Sequence, residues 1–270
     1  MKFDKGSFTR TSEELSQKGS KVLFLLRKYM SNFNFVPTSL SCKLFDILIR
    51  PILAYNAEIW FMDNFNSTFK ALNRAEANNS LCDVLSLSEK YSFEKIHSKF
   101  CKAVLGLKKT ASNIGARSEL SRFTLDSFIK RQSLVYLHRI SSNNVNPLVT
   151  ESLKVNKTLH NEGIYSWYSY VDRVSKDVNL NVEDLNSTTL TFKSHAKKLV
   201  EDTYEKLTLD KISKLDTSSK LYLYGKIKHS FNSDNYLKHN NFNYRRLISK
   251  FSDHSLGIEV GKYMKIPREQ

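Results

Sequence analysis

The stretch Ser92–Leu107, SFEKIHSKFCKAVLGL, decides the fold class because its side-chain types recur at helical spacing. One stripe is apolar and consists of Phe93, Ile96, Phe100, Val104 and Leu107. A second stripe is basic, with spacing i, i+4 and i+7, and consists of Lys95, Lys99 and Lys102. The two stripes together predict an amphipathic helix with an apolar back and a basic front.

The same periodicity predicts helices through most of the chain. We expect them at residues 12–31, from 38 or 39 with a break or kink at Pro51, weakly at 66–86, and at 113–120, 125–141, 163–176, 191–214 and 244–251. Ser12 is the predicted N-cap of the first helix. In helix 125–141 we expect an inward set and an outward set. The inward set is Ile129, Tyr136 and Ile140, and the outward set is Lys130, Arg131 and Arg139.

Composition agrees with a helical fold. The 270 residues include only 8 Gly and 4 Pro, which argues against a turn-rich sandwich or barrel and against Gly-rich phosphate loops. We therefore predict a mainly α protein, with helical bundle-like arrays and short irregular connections. Residues 220–229 fit two alternatives, a helix weakened by Gly225 or a short β element. The polar run Ser142–Pro147 predicts a boundary between regions 1–142 and 143–270.

The positive charge is concentrated in two segments. The whole chain has 42 Lys and Arg against 27 Asp and Glu, a net charge of +15. Segment 95–139 has ten basic and two acidic residues (+8), and segment 220–268 has ten and three (+7). The remaining residues balance at 22 against 22. Two dense basic segments favour contact with a polyanion, although solvated lysine-rich helices are the plain alternative.

Targeting and thiol chemistry suggest an intracellular protein, nuclear or cytoplasmic and not secreted. The N-terminus lacks a signal-peptide pattern, and the longest apolar run, Val22–Leu26, is far too short to span a bilayer. Cys42, Cys82 and Cys101 share no Cys-x-x-Cys spacing and are predicted to be free thiols in a reducing compartment. We expect no membrane contact.

Motifs for several catalytic classes are missing from the sequence. It contains no Gly-x-x-x-x-Gly-Lys or Gly-x-Gly-x-x-Gly loop, and its seven histidines share no His-x-x-x-His spacing. No adjacent aspartate pair follows an aromatic turn, so the two-metal site of a polymerase is not encoded. We expect no metal, no cofactor, no small-molecule substrate and no enzymatic activity.

Several stretches resemble the region downstream of the catalytic domain in non-LTR (LINE-type) retrotransposon reverse transcriptases of animals. The most specific match is Leu44–Tyr55 continuing to Glu58-Ile59-Trp60. The other matching stretches, in family order, are Gly6–Phe8 with Lys18–Lys28, Phe93–Lys102 with Leu105-Gly106, Glu119–Phe123, and Leu247–Phe251 with segments up to Glu269. Three positions depart from the family pattern. Asn56 and Ser121 replace a usual glycine, and Thr124 replaces a usual proline.

The resemblance implies a thumb-like helical region at 1–142 and a C-terminal helical region at 143–270. The family's fingers and palm, with their metal-binding aspartates, would precede residue 1, and its zinc-binding cysteines would follow residue 270. In that family this region is expected to hold the template–primer duplex and the RNA. The missing polymerase core would be a further partner.

Three functional hypotheses follow. The first is a noncatalytic fragment that binds the backbone of RNA or an RNA/DNA duplex without sequence preference. The second is a helical protein-interaction module, and the third is a relic product without activity. For the first, the predicted contact residues are Lys95, Lys99, Lys102, Lys108, Lys109, Arg122, Lys130, Arg131, Arg245, Arg246 and Lys250. Tyr222 and Tyr224 are candidates for base stacking, and Trp60, Tyr55 and Phe45 are predicted core residues.

Overall fold

The computed structural model describes residues 8–33, 36–74, 88–141, 146–180, 188–214 and 221–252. Within these ranges the regular elements are helical and no strand occurs, so the mainly α prediction is confirmed. The region left open at 220–229 contains a helix. Gly225 lets this helix pack closely against the helix that contains Ile212, because a Cβ at position 225 would lie 2.3 Å from the Ile212 carbonyl oxygen.

The helices are numbered in chain order. They are α1 (Thr9–Met30), α2 (Thr38–Leu44), α3 (Arg50–Leu53), α4 (Ala57–Arg74), α5 (Ser92–Leu105), α6 (Asn113–Glu119), α7 (Leu125–Ser141), α8 (Pro147–Asn161), α9 (Trp167–Asp177), α10 (Thr189–Ser213), α11 (Tyr222–Ile227) and α12 (Phe242–Ser252). A π-helical turn, Phe45–Ile49, joins α2 to α3, and a 3-10 turn spans Asn235–Lys238.

Pro51 does not break the helix, because the helical run continues through it, with a π-helical turn just before it, and ends at Leu53. Proline removes a backbone donor and crowds the preceding turn of a regular helix. The π-helical turn ends two residues before Pro51, α3 ends at Leu53, and Asn56 takes φ +51° before α4 begins. The chain therefore turns after Leu53 instead of continuing as one long helix.

Helix α7 lies at the centre of the bundle. It packs against α4, α5, α8, α9 and α10, while α1 covers α5, α3 and α4. The α7 residues Ile129, Leu134 and Leu137 are buried. The core they join also includes Trp60 and Tyr170. One hydrophobic core thus draws on both sides of the predicted boundary at 142/143. The division into two regions stays a prediction, and residues 142–145 lie outside the described ranges.

Several sequence predictions need correction. Ser12 is not an N-cap; it lies inside α1 and is buried, with its hydroxyl 3.4 Å from that of Ser92. Tyr55 is 60% exposed, because it lies in the turn between α3 and α4, whereas Trp60 and Phe45 are buried as predicted. The weak helix at 66–86 is described only to residue 74, where it continues α4.

The helix expected from Gly163 begins later, and the helix before it was not predicted. Gly163 has φ +77° and follows the end of α8. Ser166 then caps α9, with its hydroxyl accepting from the Ser169 amide while the Ser169 hydroxyl accepts from the Ser166 amide. Helix α8 escaped detection because its apolar face is narrow, with Leu153 its one buried residue.

Ser121 carries backbone strain that a glycine would relieve. Its φ is +51°, a left-handed conformation that costs residues with a Cβ about 1–2 kcal/mol. Its hydroxyl oxygen is buried without a hydrogen-bond partner. We expect Ser121→Gly to raise the free energy of unfolding by about 1 kcal/mol. This value allows for the extra conformational entropy that a glycine loses on folding, which offsets part of the relieved strain. Urea unfolding monitored by circular dichroism measures the change.

Ser121→Ala is the matched control, since it removes the hydroxyl and keeps the Cβ. It should gain less than Ser121→Gly. Equal stability of the two variants would show that the left-handed conformation carries no cost here.

Candidate nucleic-acid interface

Helix α5 presents lysines on its outer face, as its sequence predicts. Phe93, Ile96 and Phe100 are buried, whereas Lys95 and Lys99 are exposed. The only acidic residue within 92–105 is Glu94, and it is fully buried. The outer face of α5 therefore carries positive charge without a carboxylate of its own helix to offset it.

The C-terminal end of α5 connects the two basic segments. Gly106 takes φ +68° and ends the helix, and a Cβ there would lie 2.8 Å from Cγ of Arg246 on α12. Helix α12 contacts α5 at this end. Just beyond it, the Lys102 ammonium donates to the carbonyl oxygen of Lys109 at 2.9 Å. Glycine at 106 thus lets α12 approach closely enough to add its cations to those of α5.

Lysines and arginines from both segments lie near one another at this junction. Burial lowers the pKa of Lys250, and the positive charges of Arg246 and Lys108 lower it further. Arg246, Lys108 and Lys109 are exposed, and Lys102 and Lys250 are half-buried. We call the following set the basic face: Lys95, Lys99, Lys102, Lys108, Lys109, Arg246 and Lys250. Lys220, Lys262, Lys265 and Arg268 of the second segment lie outside the described residues.

Four of the predicted contact residues have partners within the fold. Arg122 donates to Asp46 through both terminal nitrogens and stacks over Phe45, with its Cζ 5.1 Å from the ring centre. Lys130 is buried, donates to the Tyr204 hydroxyl at 2.7 Å and lies 3.4 Å from a carboxylate oxygen of Asp126. Its predicted outward orientation was wrong, because α7 is covered on several sides.

Arg131 and Arg245 complete this inner group. The Arg131 guanidinium lies 4.9 Å from the ring centre of Phe128 and 3.9 Å from Glu201. Arg245 is 6% exposed and donates to the Thr38 hydroxyl, which ties α12 to the start of α2. The partners of these arginines, Glu201 and Thr38, are distant along the chain, so local sequence patterns do not reveal the contacts.

A buried polar network beneath α5 was not anticipated from the sequence. One carboxylate oxygen of Glu94 accepts from His97 Nδ1 at 3.1 Å and lies 3.5 Å from the Arg117 guanidinium. The other accepts from the Leu125 amide at 2.7 Å, at the start of α7. Arg122 Nε donates to His97 Nε2 at 3.1 Å. The network joins α5, α6, the loop after α6 and α7.

These hydrogen bonds define the protonation state of His97. Because Nε2 accepts from Arg122, the ring proton resides on Nδ1, where it is donated to Glu94. Burial lowers the pKa of His97, Glu94 opposes this shift, and Arg122 and Arg117 lower it further. The imidazole is therefore neutral in the folded protein at pH 7.

The two candidate stacking tyrosines occupy different environments. Tyr224 is buried and donates to Glu119 at 2.9 Å, so its ring is not available to a base. Burial and the Glu119 carboxylate raise the pKa of Tyr224. Tyr222 is half-buried, with the Lys226 ammonium 5.5 Å from its ring centre. Tyr222 alone remains a candidate for stacking.

Metal and thiol chemistry add no second site in the part of the chain that the structure describes. No group of three or more His, Cys, Asp or Glu residues there is arranged to hold a metal ion. Cys42 and Cys101 are free thiols, and burial raises the pKa of Cys101 to about 12. Cys82 lies outside the described residues. Among the helices given above, none combines the length and apolar character that a membrane span needs.

No family model, curated protein or solved structure matches this chain. Its own side chains are therefore the basis for assigning a function. Among the described residues, the basic face presents exposed cations, whereas Arg122, Lys130, Arg131 and Arg245 contact partners within the fold.

The neutral His97 predicts a loss of stability in acid. An unfolded histidine titrates near 6.5, and the folded pKa lies lower, so the unfolded state binds more protons below about pH 6.5. The free energy of unfolding therefore decreases as the pH falls from about 6.5 towards the folded pKa of His97. This residue contributes at most about 1.4 kcal/mol per pH unit to the decrease. Urea unfolding from pH 7.5 to 5.5 measures it.

His97→Gln is the control, since an amide can donate to Glu94 and accept from Arg122 without titrating. The variant should lose less stability than the wild type between pH 7.5 and 5.5. If the two pH profiles are parallel, His97 is not the group responsible.

Proposed function

We propose that this protein binds the phosphate backbone of RNA or an RNA/DNA duplex through its basic face, without sequence preference and without polymerase chemistry. The observation that carries the proposal is the junction at Gly106, where α12 adds Arg246 and Lys250 to the cations at the end of α5. Affinity for the phosphate backbone of a nucleic acid depends on how many phosphates contact a cation at the same time. A junction that brings cations of both basic segments together suits that requirement.

The charge composition of the two helices supports the proposal. Residues 242–252 of α12 include no acidic residue. The single carboxylate of α5, Glu94, is buried and contacts the Leu125 amide and Arg117. Burial lowers the pKa of Lys250, and the positive charges of Arg246 and Lys108 at the junction lower it further. A bound polyanion would relieve that repulsion.

The backbone conformation supports the likeness to the thumb and downstream region of LINE-type reverse transcriptases. Asn56 and Ser121 occupy positions where that family usually has glycine, and both have φ +51°. Glycine is the residue that adopts this conformation without steric cost. The two departures in sequence thus coincide with two backbone positions at which glycine is physically favoured.

Salt dependence tests the proposal. On single-stranded RNA, each phosphate neutralised contributes about −0.7 to the slope of log affinity against log salt concentration. We expect Lys95→Gln/Lys99→Gln to weaken binding and to make the slope shallower by roughly 1.4, twice that contribution. Fluorescence anisotropy with a labelled homopolymeric RNA and an RNA/DNA duplex, from 50 to 200 mM NaCl, gives both quantities.

Lys193→Gln/Lys198→Gln is the matched control. It removes the same charge from two exposed lysines on α10, outside the basic face. The slope should stay close to that of the wild type. An equal reduction in both double variants would mean that binding follows net charge and not this surface. Absence of any salt-sensitive binding would overturn the proposal and leave protein docking or a relic product.

A second candidate function, protein docking, is favoured by apolar side chains on α1. Leu26 and Trp60 are covered, but Phe24, Leu25 and Tyr29 on α1, and Phe33 just after it, are 49–69% exposed. Contiguous exposed apolar surface marks interaction sites. The family likeness suggests a polymerase core as the occupant of this surface.

Replacement of exposed aromatic residues distinguishes docking from incidental exposure. Phe24→Ser/Tyr29→Ser should change the free energy of unfolding by less than about 1 kcal/mol, since neither ring is buried. If the surface docks a second copy of the chain, sedimentation velocity should show wild-type association that the variant lacks. A monomeric wild type would exclude self-docking and leave the polymerase core as the partner to test.

A further inference from the structure

A pocket of about 290 Å³ opens between α3, the loop after α6, the start of α7 and α10. The charged residues in its wall are Asp46, Arg50, Arg122, Arg131, Lys197 and Glu201. Phe128 lies in the wall as well, with the guanidinium of Arg50 4.6 Å and that of Arg131 4.9 Å from its ring centre. The pocket is separate from the basic face and shares none of its residues.

The wall has an excess of positive charge. Four cations face two carboxylates, which leaves a net charge of +2. Asp46 is divided between Arg122, which donates to it through two nitrogens, and Arg50, at 3.3 Å. Glu201 lies 3.9 Å from both Arg131 and Lys197, farther than a hydrogen bond. The pocket therefore keeps donor capacity that its own carboxylates do not use.

The pKa shifts of the two stacked arginines agree with this excess. Burial lowers the pKa of Arg50, and Arg122 lowers it further against the pull of Asp46. Burial also lowers the pKa of Arg131, with Glu201 opposing the shift and Arg50 adding to it. A multivalent anion between them would remove the repulsion.

Neutral donors occupy the same wall. Ser121 and Thr124 line the pocket, and both hydroxyl oxygens are buried without a hydrogen-bond partner. Thr124, which is 5% exposed, immediately precedes α7, so the positive end of a 17-residue helix dipole lies at the pocket. Glu94 already accepts from the Leu125 amide, so the helix contributes through its dipole and not through that donor.

We infer that this pocket binds a phosphate group, either of a small phosphomonoester or at the end of a nucleic-acid strand. Guanidinium groups match phosphate oxygens in geometry, and hydroxyl donors at a helix N-terminus complete such sites. The volume is near the lower limit for ligand pockets, which suits a phosphate with a small substituent. This inference does not depend on nucleic-acid binding by the basic face.

Two variants with opposite expected effects test the inference. Arg131→Gln removes a guanidinium and should weaken binding of inorganic phosphate roughly tenfold or more. Glu201→Gln removes a carboxylate that competes for Arg131 and Lys197, and should tighten binding severalfold. Arg139→Gln on the same helix, whose guanidinium stacks on Tyr136 outside the pocket, should leave affinity unchanged.

Titration calorimetry with inorganic phosphate, in NaCl of matched ionic strength, gives the affinities. Tighter binding by Glu201→Gln is the informative result, since a purely structural role for these residues cannot produce it. No binding by the wild type above the NaCl background, or equal affinities for Arg131→Gln and Glu201→Gln, would overturn the inference.

A pair of short oligonucleotides of one sequence, with and without a 5′-phosphate, identifies the source of the group. Tighter binding of the phosphorylated strand, lost in Arg131→Gln and retained in Lys95→Gln/Lys99→Gln, assigns the pocket to a strand terminus. Equal binding of both strands, together with binding of inorganic phosphate, assigns it to a small phosphomonoester. Arg131→Gln lies in the pocket, and Lys95→Gln/Lys99→Gln lies on the basic face. A negative result for phosphate binding in the pocket is therefore distinguishable from a negative result for nucleic-acid binding by the basic face.

Discussion

The fold depends on one carboxylate that has no access to water. Glu94 is fully buried, accepts from the Leu125 amide and from His97, and lies beside Arg117. Burial of a charge is tolerated only when paired groups and hydrogen bonds replace the lost water, and removal of a partner costs about 3–5 kcal/mol. This one side chain therefore fixes α5, α6 and the start of α7 relative to one another.

The same constraint sets the orientation of the basic face. Glu94 and His97 lie on the inner side of α5 together with Phe93 and Phe100. With about 100° between successive residues, Lys95 and Lys99 must then lie on the outer side. The exposed cations of α5 are thus a geometric consequence of the buried network, and α12 extends them because Gly106 allows its close approach.

Several arginines pack within the fold for a physical reason. A planar guanidinium can donate several hydrogen bonds and stack on a ring at once, so Arg122 satisfies Asp46 and His97 while covering Phe45. An ammonium is strongly hydrated and stays in water unless strong acceptors surround it. Lys130 is covered in this way beside Asp126 and Tyr204. The Lys228 side chain is also covered, and its ammonium donates to the Asn232 carbonyl oxygen and to Asp234. A periodic pattern does not separate these packed cations from the exposed ones.

Local sequence patterns predicted the helical class, the start of α5 at Ser92 and the full extent of α7. These features depend on local periodicity and backbone stereochemistry, which neighbouring residues encode. Tertiary structure alone decided which cations remain exposed, that residues near 108 and 250 lie together, and that a cationic pocket forms beside Phe128. Each of these depends on partners 70 or more positions apart along the chain, such as Arg122 with Asp46 or Arg131 with Glu201, and a periodic pattern carries no information about such distant pairs.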